Sequence, residues 1–264
     1  MKKVVVIFLL NSVCFLPLFS QSGYNVEVLP TNIGGKTEFK RVFEQEIMYP
    51  EAALKNNISG KVTVSFDIKK DSSISNVKVN TCGNQELDVE GLRLFNLFLW
   101  VPALKEGQSV STSWSVAFDF NAEKYSKICK KRGYTKFKYI ADAKIDSTGK
   151  IYTTGVQMPM YEKGNFALQD FIKENLEYPR QAQLSNLQGT VLLSFIVEPS
   201  GLMTNIGVEK SVGGGCDQEA IRVLEQIKWY PGKYDGKLAR VRMTFPVYFI
   251  LNDEFKNNAS GEQK

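Results

Sequence analysis

The chain has 264 residues, of which 33 are Lys or Arg and 28 Asp or Glu, for a net charge of +5. Apolar residues make up 43% and charged residues 23%. That composition excludes disorder along the whole chain, because disordered chains are poor in apolar side chains. No histidine is present, which excludes a Ser-His-Asp triad, a Cys-His dyad, His-ligated zinc and a histidine pH switch.

Met1-Lys2-Lys3 gives a positive start, and Val4 to Phe19 is apolar except for Asn11 and Ser12. Ser20 is a small residue at the end of that run. Residues 1–20 therefore predict a cleaved secretory signal peptide. The alternative is an uncleaved inner-membrane anchor, for which the run is short against the ~20 apolar residues of a spanning helix. Export places the chain beyond Ser20 in an oxidising compartment. Three cysteines remain there, Cys82, Cys129 and Cys216. An odd count permits at most one internal bridge, and the pairing is left open, including one between Cys82 and Cys216. No metal-ligand spacing occurs. Gly213-Gly-Gly215 lacks the Lys-Ser/Thr that completes a phosphate loop. No catalytic residue, metal or cofactor is expected.

The chain repeats itself once. A shift of 129 positions aligns Gly35–Phe120 with Gly164–Phe249 without a gap, with 18 identities in 86 positions. The identities include Tyr49-Pro50 with Tyr178-Pro179 and Gly60-x-Val62 with Gly189-x-Val191. They also include Asp88-x-Glu90-x-x-Arg93 with Asp217-x-Glu219-x-x-Arg222, and Trp100-x-Pro102 with Trp229-x-Pro231. A period this long means tandem domains and not a solenoid. Each copy opens with an amphipathic helix. In the second copy Leu168, Phe171, Ile172 and Leu176 fall on one stripe, and Phe39, Val42, Phe43 and Ile47 do so in the first. A short helix follows Tyr-Pro. Thr190–Val197 and Leu202–Lys210 read as a hairpin turning on Glu198-Pro-Ser-Gly201. Asp217 is expected to cap the next helix, and Ala239–Leu251 reads as a last long strand. The fold class is α+β: two tandem two-layer domains, each a three-stranded antiparallel sheet packed on helices.

Four residues have a bland and a sharp reading. Trp100 and Trp229, at helix-to-strand corners, read as core packing sooner than as ligand holders. Arg93 and Arg222 read as partners of Glu90 and Glu219 on the helix surface, worth ~0.2–0.5 kcal/mol, sooner than as clamps for a bound carboxylate.

The copies are separated by a basic tract. Residues 123–163 hold ten basic and four acidic residues, with Lys130, Lys131 and Arg132 consecutive. The tract reads as a solvated linker or as a contact for an anionic envelope polymer; export argues against nucleic acid. Tyr139–Ile145 and Lys150–Val156, around Asp146-Ser-Thr-Gly149, are expected to form a small hairpin.

These motifs together resemble the C-terminal domain of the TonB family, in the form common among energy transducers of Bacteroidetes-like bacteria. The second copy carries the resemblance most densely. Its residues are Phe171-Ile-Lys-Glu-Asn-Leu-Glu-Tyr-Pro179, Gly189-Thr-Val-Leu-Leu-Ser-Phe195, Asp217-Gln-Glu-Ala-Ile-Arg222, Trp229-Tyr-Pro-Gly-Lys233 and Phe245-Pro-Val-Tyr-Phe249. The first copy is a diverged member, with Gly91 where the second has Ala220. The boundaries drawn from this are a signal peptide at 1–20, TonB-like domains at 33–121 and 163–251, a basic linker at 122–162 and a polar tail at 252–264.

The resemblance implies a periplasmic protein that engages an outer-membrane TonB-dependent receptor, or a transducer component, and supports transmembrane transport. The implied means is β-augmentation at an unpaired final strand. By position that edge lies in Leu238–Phe249, with Leu238, Ala239, Arg240, Val241, Arg242, Met243, Thr244 and Phe245 singled out. A second possible edge lies in Val110–Phe120, with Val110, Ser111, Thr112, Ser113 and Trp114 singled out. Two domains on a flexible linker would raise avidity for paired sites. The long Pro-rich arm of a full transducer is absent, so the chain is read as an adaptor, and its oligomeric state is left open. The alternative is an envelope structural module acting through the basic linker.

Overall fold

The computed structural model describes residues 27–134 and 143–251. The expected signal peptide (1–20), the polar tail (252–264) and residues 139–142 of the expected hairpin lie outside them, as do Lys136 and Lys138 of the basic tract.

The first copy begins with β1 (Thr31–Asn32), then α1 (Gly35–Glu46) and the short α2 (Glu51–Lys55). β2 (Gly60–Ile68) and β3 (Ile74–Asn80) form the hairpin. After α3 (Gln85–Phe95) come β4 (Trp100–Val101), β5 (Ala103–Lys105) and β6 (Gln108–Val110). β7 (Thr112–Phe120) closes the sheet, in the order β3-β2-β7. The alternation in β2 is regular: Val62, Val64, Phe66 and Ile68 are buried, as a strand with one covered face requires. Asn84 caps α3, its Oδ1 accepting from the Leu87 N–H at 3.0 Å. Gly91 is explained by a close approach, since a Cβ there would lie 2.6 Å from Val62 Cγ1. The helix gives up ~1 kcal/mol of propensity to pack against β2.

α4 (Ala122–Arg132) follows β7 and docks on the same core, burying Ala122, Tyr125 and Cys129. The basic tract thus starts as a packed helix and not as a solvated linker. Beyond it lie β8 (Ile151–Tyr152) and β9 (Met160–Tyr161).

The second copy repeats the plan with α5 (Asn165–Asn175), α6 (Arg180–Leu184), β10 (Gly189–Val197), β11 (Met203–Lys210) and α7 (Cys216–Leu224). β12 (Trp229–Tyr230), β13 (Lys233–Tyr234), β14 (Lys237–Leu238) and β15 (Arg240–Phe249) complete it. The register repeats as well. Gly60↔Phe120 through Ile68↔Thr112 becomes Gly189↔Phe249 through Val197↔Val241. Asn76 (φ 53°) and Asn205 (φ 55°) sit in the left-handed region where each hairpin shifts register. The bridges Val28↔Leu104 and Gln157↔Lys233 also correspond. The structural repeat therefore starts upstream of the aligned Gly35 and Gly164.

Three expectations are corrected. First, the tract around Asp146 does not form a hairpin among the described residues. Ile145 bridges Leu238 and β8 pairs with β15, both in parallel, so the second sheet reads β11-β10-β15-β8. Both flanks of the turn find partners in the last strands and not in each other. Second, Asp217 is not the cap of α7. Gly213, Gly214 and Gly215 all have positive φ and carry the chain round to Cys216, a path open to glycine. The Asp217 carboxylate instead accepts from Val212 N–H at 3.0 Å and from the Ser211 hydroxyl at 2.5 Å.

Third, the copies do not hang on a flexible linker. Asn205 Nδ2 donates to Leu97 O at 2.8 Å and its Oδ1 accepts from Leu99 N–H at 2.7 Å. Arg240 reaches Asn96 O (2.9 Å) and Leu97 O (3.0 Å) while pairing with buried Glu198 at 2.8 Å. Arg41 donates to Met203 O and pairs with Glu225. Such bonds, several of them made by charged side chains, hold one copy against the other in a fixed geometry.

Candidate functional site

Pro246 settles which backbone groups of β15 face outward. It stands in register with Leu192 of β10. Proline has no N–H to give, so its nitrogen turns to the open side of an edge strand. By the two-residue period, Arg242, Thr244 and Tyr248 also present N–H and C=O on that side. Leu238 agrees: its N–H donates to Lys144 O and its carbonyl accepts from Asp146 N–H, both at 2.8 Å.

The first half of the expected edge is therefore occupied. Leu238 bonds to residues 144 and 146, Ala239 N–H donates to Gly232 O at 3.0 Å, and Arg240 and Val241 stand in register with Ile151 and Tyr152. The covering segment is itself braced. Tyr152 stacks on Tyr234 at 4.3 Å between centroids. Asp146 accepts from the Thr148 hydroxyl (2.7 Å) and the Tyr152 hydroxyl (3.0 Å). Those bonds, Thr148's first, hold the Asp146 carboxyl below its usual range. From Arg242 to Phe249, β15 pairs with β10 alone among the described residues. Met243 and Phe245 turn their side chains to the second core, and Thr244 is exposed.

The first copy differs. β7 pairs with β2 at nine positions, and its other side carries no strand among the described residues. Because its register equals that of β15, the outward-facing backbone belongs to Ser113, Ser115, Ala117 and Asp119. The expected second edge begins too early: Val110 pairs with Ala103 in β6, and the Ser111 hydroxyl accepts from Lys70 N–H at 3.3 Å. Thr112, Ser113 and Trp114 do lie in β7, with Trp114 packed on the first core. Ser115, Ala117 and Asp119 lie within the expected Val110–Phe120 but were not singled out. The clue was in the sequence, since Ala117 is the counterpart of Pro246. The Ser113 hydroxyl and Asn76 Nδ2 both donate to Asp67 at 2.6 Å, and these two bonds lower the Asp67 carboxyl.

Of the basic residues singled out, only Lys130 is simply exposed. Lys131 pairs with Glu44 at 2.7 Å. Arg132 is a clamp: one nitrogen donates to Ile47 O (2.7 Å), Gln45 O (3.2 Å) and Glu44 O (3.3 Å), and another to the Tyr125 hydroxyl (3.0 Å). It satisfies carbonyls at the end of α1 that the helix itself leaves open.

The repeated Glu-x-x-Arg motif does more than form a surface pair. Glu90 bonds Arg93 at 2.8 Å and accepts from Met48 N–H at 2.7 Å, while Arg93 donates to Glu46 O at 2.5 Å. Glu219 and Arg222 repeat this on Glu177 N–H (2.6 Å) and Asn175 O (2.7 Å). The motif ties the third helix of each copy to the end of its first. Trp100 and Trp229 are buried against Phe66 and Phe195, as expected of core residues. Cys82, Cys129 and Cys216 are free thiols, the last two buried, and burial first of all raises the Cys216 thiol.

Glu46 lies at the boundary of the copies. Ser200 donates to its carboxylate at 2.5 Å, and Arg93 stands 3.7 Å away. Burial pushes its pKa up to about 7; the Ser200 bond and Arg93 pull it down, and Glu198 and Glu90 push it further up.

Two α+β domains whose last strands are unpaired along part of one side form the architecture. No group of three metal-ligating side chains occurs among the described residues. Residues 45–122 and 174–251, more than half of the chain, match the family model described as Gram-negative bacterial TonB protein C-terminal. The chain belongs to that family and carries its domain twice, at the same 129-residue offset as the repeat. Among solved structures it is similar to the NMR solution structure of the Helicobacter pylori TonB C-terminal domain (residues 179–285). That likeness has 23% identity and a TM-score of 0.23, and it covers 32% of this chain and 79% of that one. Among curated proteins none matches. The family's domain is a non-catalytic binding module of TonB-dependent transport at the cell envelope. No helix among the described residues is long and apolar enough to cross a membrane.

Proposed function

We propose that the chain is a periplasmic binding protein that engages outer-membrane transport receptors, or a transducer component, by strand augmentation. The observation that carries this reading is the unpaired side of β7, Thr112–Phe120. An extended peptide laid along it completes a row of backbone hydrogen bonds, and alternate side chains of the guest give selectivity. The corresponding side of β15 from Arg242 to Phe249 is the second such edge. On this reading the domains 33–121 and 163–251 supply the candidate edges, and residues 1–20 serve export.

The test uses the full chain and peptides copied from receptor N-terminal segments. N-methylation of alternate backbone nitrogens blocks either the set facing the edge or the set facing away. One set is expected to abolish binding and the other to preserve it, read by calorimetry. Equal binding by both would remove strand augmentation as the mode.

A second reading, an envelope module held by an anionic polymer, is favoured by the exposure of Lys124, Lys127 and Lys130 along α4. It requires binding to isolated envelope polymers that falls with salt and is lost when these three lysines become Gln. Polymer binding that survives the change would end it.

A further inference from the structure

The two edges are not equivalent. Position 246 of β15 has lost its outward N–H, and the start of that strand is taken by the chain's own residues 144–152. β7 has neither handicap, for Ala117 replaces the proline and each outward position keeps donor and acceptor. A loss of one donor from a short ladder leaves a guest carbonyl unpaired, which costs more than the bond itself is worth. We propose that the first copy, and not the second, receives the guest strand, along Ser113–Asp119, and that the guest sets one large apolar side chain between α1 and α4. The inference rests on strand augmentation as the mode of docking.

The molecule itself shows what occupies such an edge. In the second copy the occupant is extended backbone, running parallel to β15. Beside the free edge of β7 is a groove of about 250 Å³ with Phe43, Ile47 and Ile128 as its apolar floor. Asp119, whose backbone faces outward, lines it, so the groove continues from the open edge. A side chain projecting from a guest strand near Asp119 has an apolar slot to enter. Lys40, Glu44, Asp119 and Lys124 supply its charged lining. Lys40 lies 3.9 Å from Glu44, and Lys124 has no ion pair among the described residues. The occupant is therefore an extended segment of a partner protein with a Leu- or Phe-sized residue and an acidic neighbour. From Glu123 on, α4 lies beyond the stretch that matches the family model, as do Lys40, Phe43 and Glu44 of α1.

The test again uses the full chain. The probes are fluorescein-labelled decapeptides of alternating Thr and Val, in which one position is Leu, Ala or Lys and its neighbour Asp. Ala117→Pro puts into β7 the residue that β15 already accommodates at the equivalent position, so the sheet tolerates it. Ala117→Pro is expected to weaken binding of the Leu peptide by roughly tenfold, and Thr244→Pro by less than about twofold. Replacing Leu by Ala or Lys is expected to weaken binding by roughly tenfold. Benzoylphenylalanine at position 115 should capture the peptide, and at position 244 should not, a readout that stands if Ala117→Pro disturbs the fold. Loss through Thr244→Pro, alone or alongside Ala117→Pro, overturns the assignment to the first copy while leaving strand augmentation in place. Peptides that bind but ignore both prolines, or no binding by any of them, overturn the docking mode as well. Equal affinity for Leu, Ala and Lys peptides overturns the groove.

Discussion

The two copies pair their central and last strands in the same register, yet they use the other face of the sheet differently. In the first copy that face is polar and open: half-buried Asp67 gathers Ser113 and Asn76, both exposed. In the second, Ile196 stands in place of Asp67, and Ser194, Ile196, Thr204 and Asn205 are all buried. Ile33 of the first copy lies against Gly207 and Gly34 against the Ile206 carbonyl. The same left-handed asparagine serves both settings. Asn76 bonds an exposed carboxylate within its own sheet, whereas Asn205 holds backbone of the other copy. A repeat can thus keep its backbone irregularities while reassigning their side chains, because the main-chain conformation and the side-chain partner are set by different neighbours.

The largest expected difference between the copies lies in the Glu-x-x-Arg clamps. Arg93→Ala would leave Glu90 and Glu46, both buried, without their cation, at a cost of about 3–5 kcal/mol. Arg222 is 43% exposed, and Arg222→Ala is expected to cost far less, because solvent screens the pair. Urea unfolding of the two variants checks this; equal losses would mean that burial does not set the strength of the clamp.

The next effect is pH-dependent and confined to the first copy, because Asn175 replaces Glu46 in the second. A carboxyl whose pKa rises from 4.5 to about 7 on folding binds a proton that the unfolded chain has released. Its contribution is whole below pH 4.5 and is lost as pH climbs through 7, by up to about 3 kcal/mol. Glu46→Gln is expected to flatten stability between pH 5 and 8. An unchanged slope in that variant would show that Glu46 does not titrate there.

The smallest effect separates the asparagines. Asn76→Ala and Asn205→Ala share the strain of placing Ala at positive φ, about 1 kcal/mol. Asn205→Ala also orphans Leu97 O and Leu99 N–H, adding about 2 kcal/mol. Equal thermal shifts would mean that the contact between copies contributes nothing.

Much of the fold was legible because its signals are local. The alternation of Val62, Val64, Phe66 and Ile68 needs only neighbours two residues apart, and Gly91 and Pro246 each announce a constraint on the backbone. The site was legible only in part. The last strand was singled out, but Leu238–Val241 are covered by residues about ninety positions earlier, and no local pattern reports that. The clamp made by Arg132 was equally hidden, since its partners Glu44, Gln45 and Ile47 belong to a distant helix.

By itself the sequence determined the duplication and the order of the main helices and strands, because these follow from side-chain periodicity and from residues that restrict φ. Only the tertiary structure decided that the copies lock together, that the basic tract begins as a docked helix, and that β7 is the less obstructed edge. Those outcomes depend on which surfaces meet across long separations in the chain, and that is settled by packing and by the need to satisfy every buried polar group.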